Sequence, residues 1–131
     1  MLSKATLLFC AILTVSAGSV MAERSIECLF VTECFETENC AETAYSARVS
    51  YRIPIGVVDG IDSRAKWNDD ASEHRMSFFQ GPDFSRGSWS DVEGKEWGRL
   101  LLNAQGDARY VYMSGNGPMV ITYHGTCEAA P

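Results

Sequence analysis

The four cysteines that follow residue 22 constrain the fold of this chain more than any other feature. Cys28, Cys34 and Cys40 are spaced six residues apart, and Cys127 lies near the carboxyl terminus. No Cys-x-x-Cys pair is present, which excludes the usual spacing of a zinc knuckle or of a thioredoxin-like redox site. An even number of cysteines in a chain of this length therefore indicates two disulfides, provided that the chain enters an oxidising compartment.

The first 22 residues predict such a compartment. Lys4 is followed by a short apolar run and by a tail of small residues that ends at Ala22. The run is too short for a membrane anchor, which needs about 20 apolar residues, and it has no charged stop-transfer flank. We therefore predict that residues 1–22 are a cleaved signal peptide and that residues 23–131 form a single domain. The mature protein is then secreted or periplasmic, with no membrane anchor.

Four cysteines allow three pairings, and the pattern around them favours one. Cys34 lies near the end of a predicted strand over residues 26–35, and Cys40 follows after a short polar loop. These two are close enough in sequence to form a local disulfide. Cys28, near the start of the first strand, is then left to pair with Cys127 in the last strand. The second disulfide is expected to matter more for stability, because it closes most of the chain into a loop.

The remaining sequence alternates between apolar and polar residues, as β-strands do when one face is buried. Residues 45–53 follow this pattern, and Pro54 predicts the end of that strand. Residues 73–79 alternate in the same way, and residues 64–67 are a weaker candidate strand. Residues 98–127 contain three strand-like runs separated by tight turns at Gly106 and Gly117, and residues 94–104 are the one segment that could also be a helix. We predict an all-β domain of seven to eight antiparallel strands, either an up-and-down barrel or a sandwich. The barrel is favoured because a disulfide between the first and last strands would close the sheet.

The acidic composition limits the partners that the chain can bind. Once Lys4 is removed with the leader, ten Lys and Arg residues stand against seventeen Asp and Glu residues. Such a surface gains little from phosphate backbones or anionic lipids, so we expect neither nucleic acid nor a membrane surface as a partner. A basic protein is the expected partner class, because complementary fields raise encounter rates. The same acidity would also keep an exported protein soluble.

The chain resembles the small periplasmic proteins of bacteria. It shares with them a small size, an export signal, an all-strand pattern and a cysteine in the closing strand. In architecture the chain resembles the barrel-shaped periplasmic inhibitors of c-type lysozyme. This resemblance rests on the segments "TEC", "ENC" and "GTC", extends loosely over residues 23–131, and implies a barrel. A lysozyme-like hydrolase is the first candidate partner because of the acidic surface. The inhibitors' loop, a Tyr followed by Trp and then Lys-Gly, is not reproduced. In "SWSDVEGKEWGRL" these residue types come in a different order, so no inhibitory residue is assigned.

No segment carries a pattern specific to catalysis, a metal or a cofactor. Residues 68–74 gather oxygen ligands and His74, but they lack the alternating ligand positions and the central glycine of a calcium loop. No Gly-x-Ser-x-Gly elbow is present, and "SGNGP" is typical of a hairpin turn rather than of a phosphate-binding loop. We therefore expect a protein that is not an enzyme and that uses no metal and no cofactor.

Six aromatic residues are candidates for lining a pocket. They are Trp67, Trp89, Trp97, Tyr110, Tyr112 and Tyr123. Such side chains either surround a ligand or fill the core of a small barrel. Two functions are consistent with the sequence. The first is an exported binding module that presents loops to a basic protein, and the alternative is a carrier that holds a small apolar ligand inside the barrel.

Overall fold

Eight β-strands form one closed antiparallel barrel in the computed structural model of this chain, which describes residues 21–54 and 60–131. Each strand pairs with the next along the chain, and β1 also pairs with β8. The strands are β1 (Met21–Phe35), β2 (Ala41–Pro54), β3 (Ile61–Asp69), β4 (Glu73–Gln80), β5 (Phe84–Ser90), β6 (Glu96–Asn103), β7 (Asp107–Ser114) and β8 (Met119–Ala129). The prediction of an all-β up-and-down barrel is confirmed, and the sandwich is excluded.

Most of the predicted signal peptide, residues 1–20, lies outside the described residues, so the leader stays a prediction. Met21 and Ala22 are described, and they begin β1 by pairing with Pro54 and Ile53 of β2. Cleavage after Ala22 would therefore remove the first two residues of β1 and leave the rest of that strand in the barrel. Within the described residues, no helix is long and apolar enough to cross a membrane.

The structure refines the sequence predictions for two strands. The weak candidate over residues 64–67 belongs to β3, which has nine residues. The ambiguous segment over residues 94–104 contains β6 and no helix. In β6 the side chain of Leu100 is buried in the barrel interior, whereas the side chain of Leu101 is exposed. Pairing with β5 on one side and β7 on the other fixes β6 in the extended conformation that the strand-like run over residues 98–103 predicts.

Alternate side chains of the strands point into the barrel and form its core. The largest fully buried side chains are Trp67, Tyr110, Phe30, Phe78, Leu100 and Val49. Glycine makes room for this packing at one position in particular. A Cβ atom added at Gly98 would overlap both Nε1 of Trp89 and the hydroxyl of Tyr110. The interior therefore needs a residue without a side chain beside these two rings.

Both predicted disulfides are present. Cys28 and Cys127 lie directly opposite each other on β1 and β8, with their Cα atoms 4.0 Å apart. Cys34 and Cys40 bridge the β1–β2 turn, with their Cα atoms 4.2 Å apart. The first disulfide thus joins the two strands that close the barrel, and the second fastens one turn at its rim. Both fit an oxidising environment.

Because the strands run alternately up and down, the turns are divided between the two ends of the barrel. The β1–β2, β3–β4, β5–β6 and β7–β8 turns lie at one end. The β4–β5 and β6–β7 turns lie at the opposite end, together with the end of β2, the starts of β1 and β3, and the end of β8. Gly106 and Gly117, predicted to allow tight turns, have positive φ angles of 90° and 69°.

Candidate functional site

Ten carboxylates gather at the end of the barrel that carries the β1–β2 turn. They are Glu33, Glu36, Glu38, Glu42, Asp69, Asp70, Glu73, Asp91, Glu93 and Glu96. The four turns at this end, all of them described, contain one Lys or Arg, which is Lys95. Its Nζ atom lies 2.7 Å from Oε2 of Glu93. This region, residues 33–42, 69–73, 91–96 and 115–118, is the acidic end.

Three carboxylates of the acidic end are free to meet a partner. Glu38, Glu42 and Asp70 are exposed, and none of them forms a side-chain hydrogen bond or an ion pair with another described residue. Glu36 differs, because its Oε1 atom accepts a hydrogen bond from the backbone N–H of Val120 at 2.8 Å. The acidic end therefore combines carboxylates that hold the turns with carboxylates that have no role in the barrel.

Asp69 connects the acidic end with the barrel interior. Its Oδ1 atom accepts hydrogen bonds from the backbone N–H groups of Ala71 and Ser72, at 2.9 and 2.8 Å, which close the β3–β4 turn. Its Oδ2 atom accepts hydrogen bonds from the hydroxyl of Tyr45 and, at 3.3 Å, from Nε1 of Trp67. Both oxygens are thus occupied by donors from the protein. The side chain orients two aromatic rings rather than facing a ligand.

The hydrogen bonds to Asp69 favour an ionised carboxylate and a neutral Tyr45. Burial by itself raises the pKa of Asp69, but the bonds from Tyr45, the turn backbone and Trp67 outweigh burial and hold that pKa below its usual value. Burial, followed by the hydrogen bond to Asp69, raises the pKa of Tyr45 far above its usual value. The two shifts are opposite in direction and consistent with each other, because the hydrogen bond stabilises the protonated phenol and the ionised carboxylate.

We expect the Asp69→Asn variant to lose about 2 kcal/mol of unfolding free energy at neutral pH, since several hydrogen bonds to a charged acceptor are weakened. The folded pKa of Asp69 lies below the unfolded one, so this contribution is present above the unfolded value and is lost as the pH falls through the folded value. The wild type and the variant should therefore converge as the pH falls below about 4. Urea denaturation at neutral and acidic pH measures both effects.

Asp70→Asn is the matched control, because Asp70 lies in the same turn and is exposed. This variant should change the unfolding free energy by less than about 0.5 kcal/mol at either pH. Equal losses in the two variants would contradict the role assigned to Asp69. So would a loss in Asp69→Asn that is the same at neutral and at acidic pH.

Five of the six predicted aromatic residues meet inside the barrel. The rings of Trp67 and Tyr110 stack with centroids 4.2 Å apart, and Tyr123 lies 5.9 Å from Tyr110. Nε1 of Trp89 donates a hydrogen bond to the hydroxyl of Tyr110 at 3.1 Å, and the rings of Trp89 and Tyr112 are 6.3 Å apart. Burial and the hydrogen bond that the Tyr112 hydroxyl donates to a neighbouring glutamate raise the pKa of Tyr112 to about 12. These side chains pack against one another across the interior.

Trp97, the sixth predicted residue, is not part of this cluster. Gly98 and Leu100 are the buried residues of β6, and Trp97 occupies the alternate position on the outside of the sheet. Its cross-strand neighbours are Ser90 on β5 and Met113 on β7, and its side chain is half-buried. The structure therefore places Trp97 on the outer surface, apart from the other five.

The residues of the acidic segment 68–74 do not converge on one point. The ring of His74 stacks on that of Trp89, with centroids 3.5 Å apart. Oε1 of Glu73 lies 3.5 Å from Nζ of Lys66 on the outside of the barrel. Nowhere in residues 21–54 and 60–131 do three or more His, Cys, Asp or Glu side chains form a group that could hold a metal ion.

Sequence reasoning did not select Tyr45 as a site residue. Tyr45 lies 24 residues before Asp69, and only the pairing of β2 with β3 brings the two together. The alternation of residues 45–53 indicates that Tyr45 faces inward, but it does not identify the partner of its hydroxyl. Such a contact follows from the strand register, which composition and spacing do not determine.

A second surface that the sequence did not reveal lies on the outside of β2 to β7. Seven exposed Lys and Arg side chains line two adjoining recesses there. They are Arg52, Arg64, Lys66, Arg75, Arg86, Arg99 and Arg109. The recesses have volumes of about 970 and 610 Å³ and share Ser77 and Ser88. This surface is the basic face.

The acidic end and the basic face differ in construction as well as in charge. The acidic end is formed by turns and strand ends, whereas the basic face is formed by the sides of six strands.

No protein-family model, curated protein or solved structure matches the chain. The function of the protein must therefore be inferred from its own sequence, disulfides and surfaces.

Proposed function

We propose that this protein is an exported, non-enzymatic binding module that uses its acidic end to bind a basic protein. The observation that carries the proposal is the concentration of ten carboxylates around turns that contain one Lys, itself paired with Glu93. A negative field of this kind attracts a basic surface and speeds its association. Export is supported by the predicted signal peptide and by the two disulfides.

The construction of the rim supports this function because it holds the turns in place. The disulfide between Cys34 and Cys40 spans the β1–β2 turn. Asp69 accepts two backbone hydrogen bonds in the β3–β4 turn, and Oδ1 of Asp91 accepts one from the N–H of Lys95, at 2.7 Å, in the β5–β6 turn. A preorganised loop loses less conformational entropy on binding than a mobile one. A partner would therefore meet a fixed array of charges.

The alternative function, a carrier of a small apolar ligand, has less support. Trp67, Tyr110 and Phe30 occupy the middle of the barrel, and each is at most 2% exposed. A carrier needs a pocket of roughly 300 Å³ or more. The two large recesses are lined mainly by side chains on the outside of the sheet, and the aromatic cluster contributes to neither. The packed interior thus favours a barrel that acts through its surface.

Neutralising free carboxylates of the acidic end is expected to weaken binding of a basic protein by at least about tenfold at low salt. The test variant is Glu38→Gln/Glu42→Gln/Asp70→Asn, because these three side chains form no hydrogen bond or ion pair with another described residue. The matched control removes the same charge from the opposite end, as Glu23→Gln/Asp83→Asn/Glu128→Gln. Calorimetric titration with a c-type lysozyme as the basic protein, at low and at physiological salt, measures the affinity of both variants and of the wild type.

A pull-down from exported extract tests the same proposal without choosing the partner. Mass spectrometry of captured material should identify a basic protein that is released as the salt concentration rises and that the test variant fails to capture. Equal losses in the test and control variants would refute the assignment to the acidic end. Capture of a small apolar molecule with no basic protein would favour the carrier.

A further inference from the structure

We propose that the basic face binds an anionic polysaccharide, a sugar chain that carries sulfate, phosphate or carboxylate groups. This is a second binding surface, and it does not depend on the function proposed for the acidic end. The sequence has eleven Lys and Arg residues; Lys4 lies outside the described residues, and seven of the others line the basic face. An acidic protein thus places seven of its ten described cations on the outside of β2 to β7.

The strand register arranges part of this charge in a row. Arg64 on β3 is opposite Ser77 on β4, which is opposite Ser88 on β5, which in turn is opposite Arg99 on β6. Two hydroxyl groups therefore lie between two arginines whose backbone positions are three strand spacings apart, roughly 14 Å. The row offers cationic donors for anionic groups and, between them, hydroxyls that can exchange hydrogen bonds with sugar hydroxyls.

The cations of the next row repel one another. Lys66 on β3 is directly opposite Arg75 on β4, and like charges in this arrangement destabilise a sheet. Glu73 relieves this only in part, because its Oε1 atom lies 3.5 Å from Nζ of Lys66 and both side chains are more than half exposed. Within the described part of the chain, none of the six arginines of the basic face forms an ion pair. Glu23 and Asp62 also line the recesses, but neither forms an ion pair with these arginines, so the arginine charges are available to an anionic ligand.

The extent of the basic face favours a polymer over a small anion. Its cations lie on six adjacent strands, from Arg52 on β2 to Arg109 on β7. Five strand spacings separate these two positions along the sheet, roughly 24 Å, and a single small anion would contact only a few of the cations. Because the sheet is closed into a barrel, the cations follow a curved surface. A flat membrane would reach only part of it, whereas a flexible chain could follow it.

The same features favour a polysaccharide over a nucleic acid. Duplex DNA is stiff over about 150 base pairs and would not follow the barrel. Single strands depend on aromatic side chains on which bases stack. On the basic face, Phe79 is the aromatic side chain that lines a recess from the outside, and its ring is occupied by the guanidinium of Arg86 at 5.2 Å and by the ring of Phe84 at 5.7 Å.

Binding to heparin, a sulfated polysaccharide, tests the proposal. The test variant Arg64→Gln/Lys66→Gln/Arg75→Gln is expected to bind at least about tenfold more weakly than the wild type at low salt, with a shallower salt dependence. The control Arg24→Gln/Arg48→Gln/Lys95→Gln removes the same charge outside the basic face and should stay within about twofold of the wild type. Circular dichroism verifies that each variant is folded; Arg99→Gln replaces the triple variant if that variant does not fold.

Three further results would overturn the proposal. The first is a wild-type protein that does not bind heparin at low salt, and the second is an equal loss of binding in the test and control variants. The third is tighter binding to single-stranded DNA or to phosphatidylglycerol vesicles than to heparin, which would assign the face to a different ligand. Sedimentation velocity tests whether the chain associates with itself. Self-association of the wild type that is lost in the test variant would identify a second copy of the chain as the occupant.

Discussion

Replacing both Cys28 and Cys127 with alanine is expected to lower the free energy of unfolding by about 4–5 kcal/mol, the largest effect of any change considered for this barrel. The two residues are separated by 99 positions, so their disulfide restricts nearly the whole unfolded chain. Both are buried at the seam between β1 and β8, where the barrel closes. Urea denaturation of the oxidised protein, followed by circular dichroism, measures the loss.

The matched control is Cys34→Ala/Cys40→Ala, which removes the other disulfide. Its two residues are six positions apart, so the same chain-entropy argument predicts a loss of only about 2 kcal/mol. The order of the two losses is the test. A larger loss for the short disulfide than for the long one would mean that closure of the barrel does not depend on the covalent seam.

Trp67→Ala is expected to lower the free energy of unfolding by about 3–5 kcal/mol, the second-largest effect, because it leaves a cavity at the centre of the core. Trp67 is 0% exposed, its ring stacks on that of Tyr110, and its Nε1 atom donates a hydrogen bond to Asp69. Loss of the indole would therefore also leave Tyr110 without its closest ring partner. Chemical denaturation monitored by circular dichroism avoids relying on the fluorescence of the deleted tryptophan.

Trp97→Ala makes the same chemical change on the outside of the barrel. Because Trp97 is half-buried, we expect a loss of about 1 kcal/mol. Similar losses in the two variants would contradict the placement of Trp67 inside and Trp97 outside. The two variants also test the carrier alternative. Removing a tryptophan that lines an empty pocket would lower the free energy of unfolding less than removing one that packs against other rings.

Local patterns predicted much of the fold. The alternation in residues 45–53 reports a strand with one buried face, and Pro54 marks its end in both sequence and structure. The pairing of Cys28 with Cys127 could be predicted because it needs only the order of the strands and the position of each cysteine within its strand. The strand-like run over residues 98–103 predicted β6, but its consecutive leucines left a helix as an alternative, which the pairing with the neighbouring strands excludes.

The charged surfaces were harder to predict because they depend on register. The expectation that nucleic acid and anionic lipid are not partners rests on the net charge of the whole chain, and an average conceals how charge is distributed. Arg64 and Arg99 are 35 positions apart in sequence, yet three strand pairings place them in one row. Similarly, the carboxylates of the acidic end come from three separate turns, which lie together only when the chain closes into a barrel.

Chemical-shift mapping tests most directly whether the acidic end binds a basic protein. Uniformly ¹⁵N-labelled protein lacking the predicted leader would be titrated with an unlabelled c-type lysozyme at low salt and then at physiological salt. We predict that amide signals of residues 36–40, 70–72 and 91–95 shift together, and that the shifts weaken as salt is added. Shifts confined to the opposite end of the barrel, at residues 81–83 and 104–106, or no shifts at low salt, would contradict the proposed function.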